Sequence, residues 1–219
     1  MSGYLVFLGA VASFCLGFFA GAFALRTWQR RKIIRLTPRM NLVEARYEML
    51  KAATRRPCVI MVGDSLTAGV PWSEVAPCPG VANYGFNGDT SAGVLYRIHE
   101  VILLKPRAVF LMIGANDLLK GVAISEIAAN IRTIVDKLET EGIEVVVHPV
   151  VPFVDAGTGI VDLNRAVISG LADTKSTIVP LPIELADLRD GLHLGPTAFT
   201  KWNSVIGPLL LKYCAGHSS

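Results

Sequence analysis

Short runs of apolar residues alternate along the chain with longer segments in which apolar residues recur every three or four positions. The continuous runs predict β-strands that are buried on both faces, and the periodic segments predict amphipathic helices. The predicted strands are 58–62, 81–84, 108–113, 145–147 and 177–179, and the predicted helices are 41–55, 91–104, 124–138, 161–173 and 196–213. This alternation indicates an α/β domain whose sheet is mostly parallel and covered by helices on both faces.

The first 25 residues have a different pattern, because they contain no charged side chain. Residues 4–25 are long enough to cross a bilayer core of about 30 Å as a helix. Six bases follow between residues 26 and 39, and no acid occurs before Glu44. The sequence therefore predicts a transmembrane helix over 1–25, a basic juxtamembrane segment over 26–40 and a globular domain over 41–219.

Charge and composition support this division. The whole chain is 52% hydrophobic and carries a net charge of +3 from 21 bases and 18 acids. Without the six bases of the flanking segment, the remaining 15 bases face 18 acids, so the domain is acidic by three charges. The positive charge lies C-terminal to the apolar segment, which predicts a single-pass protein with a cytoplasmic domain. A periplasmic or secreted domain is the alternative.

Other interpretations of the N-terminal segment fit less well. A cleaved signal peptide could use Ala22-Phe23-Ala24, but its first residues would lack Lys and Arg. A buried core helix would not need 22 uncharged residues. The basic run beside Trp28 favours contact with anionic lipid over nucleic acid. Gly17 and Gly21 form a G-x-x-x-G face that is compatible with a weak homodimer, although such residues are also common in single membrane helices.

Polar residues follow the predicted strands and form candidate catalytic groups. Ser65 follows the first strand on a strand-to-helix turn, where a helix N-terminus favours developing negative charge. His193 is a candidate base for accepting the serine proton, and Asp190 is spaced to hold the imidazole tautomer. Gly88 and Asn116 can supply a backbone N–H and an amide donor to an oxyanion. Taken singly, these residues are also compatible with helix caps, turns or a surface loop.

Four segments of the chain resemble, in the same order, the sequence blocks of the GDSL, or SGNH, hydrolases. They are Gly63-Asp64-Ser65-Leu66, Gly88, Asn116 and Asp190-x-x-His193. The stretch 83–91 is similar to the second block of the lysophospholipase and thioesterase branch. The resemblance covers roughly residues 57–213, and one departure is the Leu194-Gly195 pair between His193 and Pro196, where the family often has proline directly after histidine.

The resemblance implies a three-layer α/β/α sandwich with five parallel strands in flavodoxin-like order. It implies Ser65 as nucleophile, His193 as base and Asp190 as its orienting acid. The oxyanion hole would be formed by the N–H groups of Ser65 and Gly88 and the side chain of Asn116. No metal or organic cofactor is implied.

The expected reaction is hydrolysis of an ester or thioester through an acyl-enzyme. The apolar N-terminus favours an acyl-lipid substrate near a membrane, with residues 152–159 beside the acyl group. A carbohydrate O-acetylesterase is the alternative, and a non-catalytic binding protein on the same fold is the second alternative.

Other chemistry finds little support. His99, His148, His193 and His217 show no metal-ligand spacing, and no Walker or dinucleotide-binding motif occurs. His148 is interpreted as structural. Three cysteines lie in the domain, so at most one pair can bond, and free thiols would agree with a cytoplasmic location.

Overall fold

The computed structural model describes residues 41–53 and 56–215. The predicted transmembrane helix, its Gly17/Gly21 face and the basic segment 26–40 lie outside these residues. None of the helices within the described ranges has the length and apolarity needed to cross a bilayer. Of the predicted helix 41–55, residues 41–52 are helical.

Five parallel strands form the sheet, in the order β2-β1-β3-β4-β5 that the resemblance implied. They are β1 (Val59–Gly63), β2 (Val81–Gly85), β3 (Ala108–Met112), β4 (Glu144–Val147) and β5 (Thr177–Ile178). No strand boundary differs from the prediction by more than one residue. The runs were predictable because every residue of β1 and β3 is buried, as expected for strands covered on both faces.

Helices cover the sheet. Within residues 56–215, the four long helices are α3 (Ser91–Leu104), α5 (Ile124–Thr140), α6 (Gly159–Gly170) and α7 (Pro196–Cys214), and the short ones are α1 (Ser65–Ala68), α2 (Trp72–Val75) and α4 (Ala115–Leu119). Two further single turns lie at Val154–Ala156 and Leu185–Asp187. Helix α5 packs between α3 and α6, whereas α7 contacts β1. The α/β fold with a five-stranded parallel sheet is therefore confirmed.

Helix α6 begins two residues earlier and ends three residues earlier than predicted. Its buried stripe is Ile160, Leu163 and Val167, so the first buried position precedes the predicted start. Beyond Gly170 the chain enters a turn whose first N–H, that of Leu171, still bonds to Val167 O.

The cysteines of the domain lie together at the opposite end of the fold from the site described below. Cys78 and Cys214 form the single disulfide that the sequence allowed, and it joins the segment before β2 to the end of α7. Cys58 Sγ lies 2.9 Å from Cys214 Sγ. His148 is structural as predicted, because burial lowers its pKa to about 4 and its Nδ1 lies 2.7 Å from Val179 O.

Candidate active site

The strands β1, β2 and β3 end at a cavity of about 500 Å³. Its position is the one expected for ligands of open parallel sheets, which bind outside the carboxyl ends of the strands. The residues that line it come from the segments that follow β1, β2 and β3, from the loop before α7 and from α7 itself: Ser65, Leu66, Gly69, Asn87, Gly88, Asn116, Arg189, Leu192, His193, Leu194 and Phe199. Four of the five candidate site residues are among them, and the fifth, Asp190, contacts His193.

Ser65 is the first residue of α1 and is half-buried at the cavity wall. Asp64 caps this short helix, since its Oδ1 accepts a hydrogen bond of 2.9 Å from the Leu66 N–H. The end of β2 makes room for the helix: a Cβ at Gly85 would overlap the backbone of Ala68. Glycine at this strand end therefore lets α1 lie close enough to present Ser65 at the edge of the sheet.

Asp64 also connects the serine turn to Asn116. The Asn116 Nδ2 donates to Asp64 Oδ2 at 3.3 Å, which leaves the second amide hydrogen of Asn116 for a substrate oxygen. Asp64 is 1% exposed. Burial, opposed by the Leu66 and Asn116 hydrogen bonds and reinforced by Asp89 and Asp117, raises the pKa of Asp64 to about 7.

The raised pKa of Asp64 predicts a pH-dependent cost in stability. Between about pH 4 and pH 7 the Asp64 side chain has lost its proton in the unfolded chain but keeps it in the folded protein. The free energy of unfolding therefore falls as the pH rises through this window. We expect Asp64→Asn to be more favourable relative to wild type at pH 8 than at pH 4.5, by at least about 1 kcal/mol. Urea unfolding at both pH values measures this difference.

The exposed variant Asp162→Asn is the control for this measurement, because it removes a carboxylate from the surface of α6. A stability difference between Asp64→Asn and wild type that is the same at both pH values would contradict a buried, proton-retaining Asp64.

The turn that carries Asn116 is fixed from below by its neighbour. Asp117 is buried and accepts hydrogen bonds from the Ser91 N–H at 2.9 Å and the Ser91 hydroxyl at 2.7 Å, at the start of α3. Asn130 Nδ2 donates to the same hydroxyl at 3.0 Å. Because Asp117 is committed to these bonds, it positions α4 and leaves Asn116 to face the cavity.

Gly88 lines the same cavity as His193, and its φ of 67° is in the left-handed region that glycine favours. Its carbonyl accepts a hydrogen bond of 3.2 Å from Lys120 Nζ, which restrains the peptide plane. Among the described residues, no hydrogen bond uses the N–H of Ser65 or of Gly88. Both donors are therefore available to an oxygen in the cavity.

A buried arginine supports the Gly88 loop, and sequence reasoning missed it. Arg97 Nε donates to Asp89 at 2.9 Å and Arg97 Nη2 donates to the Gly63 carbonyl at 3.2 Å. Its guanidinium also stacks within 5 Å of the Tyr84 and Phe86 rings. Arg97 thus joins the end of β1 to the residue after Gly88. Its position on the apolar face of α3, between Val94 and Val101, was the signal that could have revealed it.

Breaking the Arg97–Asp89 pair is expected to lower the free energy of unfolding of the protein. Arg97→Met keeps the apolar stem but leaves Asp89 buried and unpaired, and losing one partner of a buried pair costs about 3–5 kcal/mol. Urea denaturation measures the loss. The control Arg165→Met breaks only an exposed pair with Asp162, and such pairs contribute about 0–1 kcal/mol.

A second variant separates the charge from the packing. Asp89→Asn combined with Arg97→Met removes both charges and should recover a large part of the lost stability. If the double variant is as unstable as Arg97→Met alone, the pairing is not what stabilises this region.

Asp190 and His193 face each other within one tight loop. Asp190 Oδ2 lies 2.8 Å from His193 Nδ1, and Asp190 Oδ1 accepts the N–H groups of His193 at 2.7 Å and Leu192 at 3.1 Å. The His193 backbone and side chain together hold the pKa of Asp190 well below its usual range. The carboxylate is therefore ionised and fixes the imidazole with Nδ1 toward it, so that Nε2 is left for another partner.

The structure places Ser65 and His193 on the same cavity without a direct hydrogen bond between them. Such bonds are often long in unliganded enzymes and shorten when substrate binds. None of residues 152–159 lines this cavity, so their place beside the acyl group stays a prediction. The segment does contact the His193 loop, because the Val154 N–H donates to the Gly191 carbonyl at 2.9 Å.

Comparison with known proteins identifies the family. The description "GDSL-like Lipase/Acylhydrolase family" matches residues 61–198, which is more than half of the chain. The chain belongs to this family. The expectation of a serine hydrolase acting on ester bonds is thereby confirmed at the level of the family.

Individual relatives agree with this assignment. The chain is 29% identical over 106 residues to the esterase TesA of Pseudomonas aeruginosa, an alignment that covers 48% of this chain and only 53% of TesA. The chain thus spans about half the length of this curated relative.

Two solved structures of the same fold cover more of the chain. A GDSL-like lipase from Bacteroides thetaiotaomicron is 20% identical with a TM-score of 0.67, covering 78% of this chain and 97% of the other. An acetyl-xylooligosaccharide esterase from Geobacillus is 19% identical with a TM-score of 0.55, covering 72% and 93%.

Proposed function

We propose that the protein is a serine esterase that hydrolyses ester or thioester bonds of acyl lipids. The observation that carries the proposal is the convergence of Ser65, His193 and the free N–H groups of Ser65 and Gly88 on one cavity. That cavity also has apolar side chains from Leu66, Leu192, Leu194 and Phe199. They provide a surface for an acyl chain beside the nucleophile.

In the proposed reaction, His193 Nε2 accepts the Ser65 hydroxyl proton as Oγ attacks the ester carbonyl carbon. The resulting oxyanion is stabilised by the N–H groups of Ser65 and Gly88 and by the Asn116 amide. His193 then protonates the leaving alcohol or thiol, and an acyl-Ser65 intermediate remains. Water, deprotonated by His193, hydrolyses this intermediate and restores the serine.

A panel of substrates tests the acyl-lipid assignment. We expect kcat/KM for p-nitrophenyl esters to rise from acetate to medium chains, and lysophospholipid or an acyl thioester to be cleaved in preference to acetyl-xylan. Each additional methylene that the apolar wall buries is worth about 0.8 kcal/mol. A sharp preference for acetate would overturn the lipid assignment.

Carbohydrate O-acetylester hydrolysis is the second candidate. It is favoured by the polar side chains of Asn87 and Asn116 in the cavity wall and by the fold shared with the acetyl-xylooligosaccharide esterase. The same panel decides between the two substrates, since acetyl-xylan is one of its members.

A non-catalytic binding protein would retain the cavity without a reactive serine. A serine-directed phosphonate probe distinguishes this alternative, because it labels only an activated hydroxyl. If the wild-type protein is not labelled and cleaves no member of the panel, the proposal that it is an esterase is contradicted.

Membrane attachment through residues 1–25 stays a prediction, as does the side of the membrane. The basic flank favours a cytoplasmic domain, whereas the Cys78–Cys214 disulfide favours an oxidising compartment such as the periplasm. Fractionation of the full-length protein, followed by protease treatment of cells with a permeabilised outer membrane or envelope, measures both properties.

A further inference from the structure

Arg189 is a charged side chain of the cavity wall that the catalytic proposal does not use. It is exposed. Among residues 41–53 and 56–215, no hydrogen bond or ion pair involves its guanidinium group, whereas the arginines Arg97, Arg132 and Arg165 each pair with an aspartate. An exposed guanidinium at a substrate cavity is free to bind an incoming anion.

The loop geometry directs Arg189 and His193 toward the same space. Leu188 and Leu194 form an antiparallel bridge, and the Arg189 N–H donates to the His193 carbonyl at 2.8 Å. Residues that oppose each other in an antiparallel pair project to the same side. Arg189 therefore lies beside the proposed base, and both residues line the cavity.

No carboxylate of the site neutralises this positive charge. Asp190 is committed to His193 and to two loop N–H groups, and Asp89 is paired with Arg97. A second cation, Lys120, is not itself a lining residue, but its Nζ donates to the carbonyl of Gly88, which lines the cavity. Among the described residues that line the cavity, Arg189 is thus the one Lys, Arg, Asp or Glu, although the domain as a whole carries more acids than bases.

We propose that Arg189 forms an anion subsite of the active cavity, which binds a carboxylate or phosphate group carried by the ester substrate. The inference rests on the proposed esterase function and narrows its substrate class to anionic esters. A guanidinium suits this role because it donates two parallel hydrogen bonds to a carboxylate or phosphate. Lys120 adds long-range attraction without a defined geometry.

Matched substrates test the subsite and locate the anion. In the first pair, mono-4-nitrophenyl glutarate is compared with 4-nitrophenyl butyrate, which places the charge in the acyl part. In the second pair, 1-lauroylglycerol 3-phosphate is compared with 1-lauroylglycerol below their critical micelle concentrations, which places it in the leaving group. We expect wild type to prefer the anionic member of at least one pair.

Arg189→Gln should lower kcat/KM for the preferred anionic ester by about 10- to 100-fold, the range of one charge-assisted contact, and should lower it much less for the neutral partner. Arg189→Lys should retain part of the preference, and added salt should weaken it. The matched control Arg165→Gln lies on α6 outside the cavity and should leave the ratio of the two substrates unchanged.

The anion subsite is overturned if Arg189→Gln lowers kcat/KM equally for both members of both substrate pairs. It is also overturned if the wild-type protein does not prefer the anionic member of either pair. A binding measurement separates this failure from that of the esterase. Titration of Ser65→Ala, with and without Arg189→Gln, by 1-lauroylglycerol 3-phosphate should show an Arg189-dependent affinity even if no ester is hydrolysed. If no ester is hydrolysed, the proposed esterase function is contradicted but the anion subsite is not. If the affinity for 1-lauroylglycerol 3-phosphate does not depend on Arg189, the anion subsite is contradicted.

Discussion

Replacing Ser65 by alanine is expected to reduce kcat/KM for a p-nitrophenyl ester by about 10⁴-fold or more, because the reaction loses its nucleophile. The residual rate would come from the cavity and from the remaining oxyanion donors. Stability should change little. Alanine is a good helix former, and Asp64, which caps α1 through the Leu66 N–H, is unchanged. Initial rates and phosphonate labelling measured by intact mass are the readouts.

Ser204→Ala is the matched control for this variant, since Ser204 is an exposed serine on α7 whose hydroxyl bonds only to the Lys201 carbonyl among the described residues. It should keep wild-type rates and wild-type labelling. Phosphonate labelling that persists in Ser65→Ala would show that another residue is the nucleophile.

Asp190→Asn is expected to have the second largest effect, a loss of about 10³- to 10⁴-fold in kcat/KM. The asparagine oxygen can still accept the N–H groups of Leu192 and His193, so the loop should keep its shape. Its amide group, however, donates toward His193 Nδ1, and the imidazole must then carry its proton on Nε2. In that tautomer Nε2 cannot accept the Ser65 proton.

The pH dependence of kcat/KM distinguishes this explanation from a distorted loop. Raising the pH deprotonates more of the Ser65 hydroxyl or supplies hydroxide, so the variant should recover activity at alkaline pH without reaching wild type. Asp162→Asn removes an exposed carboxylate outside the cavity and should show the wild-type profile. If Asp190→Asn lost less than about 10-fold, Asp190 would not be the orienting acid.

Residues whose environment is set by neighbours in sequence were predictable. The strand β1 was evident because five consecutive apolar residues leave no polar face, and α5 because Ile127, Ile131 and Leu138 recur at helical spacing. Ser65 and Asn116 were found because they directly follow such strands. A helix cap at the serine turn was among the open interpretations, and Asp64 provides it. The burial of Asp64 and the anchoring of α4 by Asp117 were not predicted.

Features made by distant residues left little trace in the sequence. The helices α1, α2 and α4 have only four or five residues, too few for a periodic pattern to appear. The Arg97–Asp89 pair depends on stacking against Tyr84 and Phe86, which come together only when the sheet has formed. The contact between the segment 152–159 and the His193 loop, made by the Val154 N–H and the Gly191 carbonyl, likewise joins residues that are far apart in the chain.

The distribution of the cavity residues along the chain has a consequence for how this protein can diversify. The wall is built from residues 65–69, 87–88 and 116 and from residues 189–199, and nothing between 117 and 188 contributes to it. The acid and base, moreover, hold each other within a single loop. Insertions at turns within residues 117–188, such as the turns at Gly142 and Gly170, can therefore change the surface, the partners or the stability of the protein. The residues that line the cavity would not change. Within the described part of the chain, by contrast, the positions that line the cavity and can alter its substrate range are few, and Arg189 is one of them.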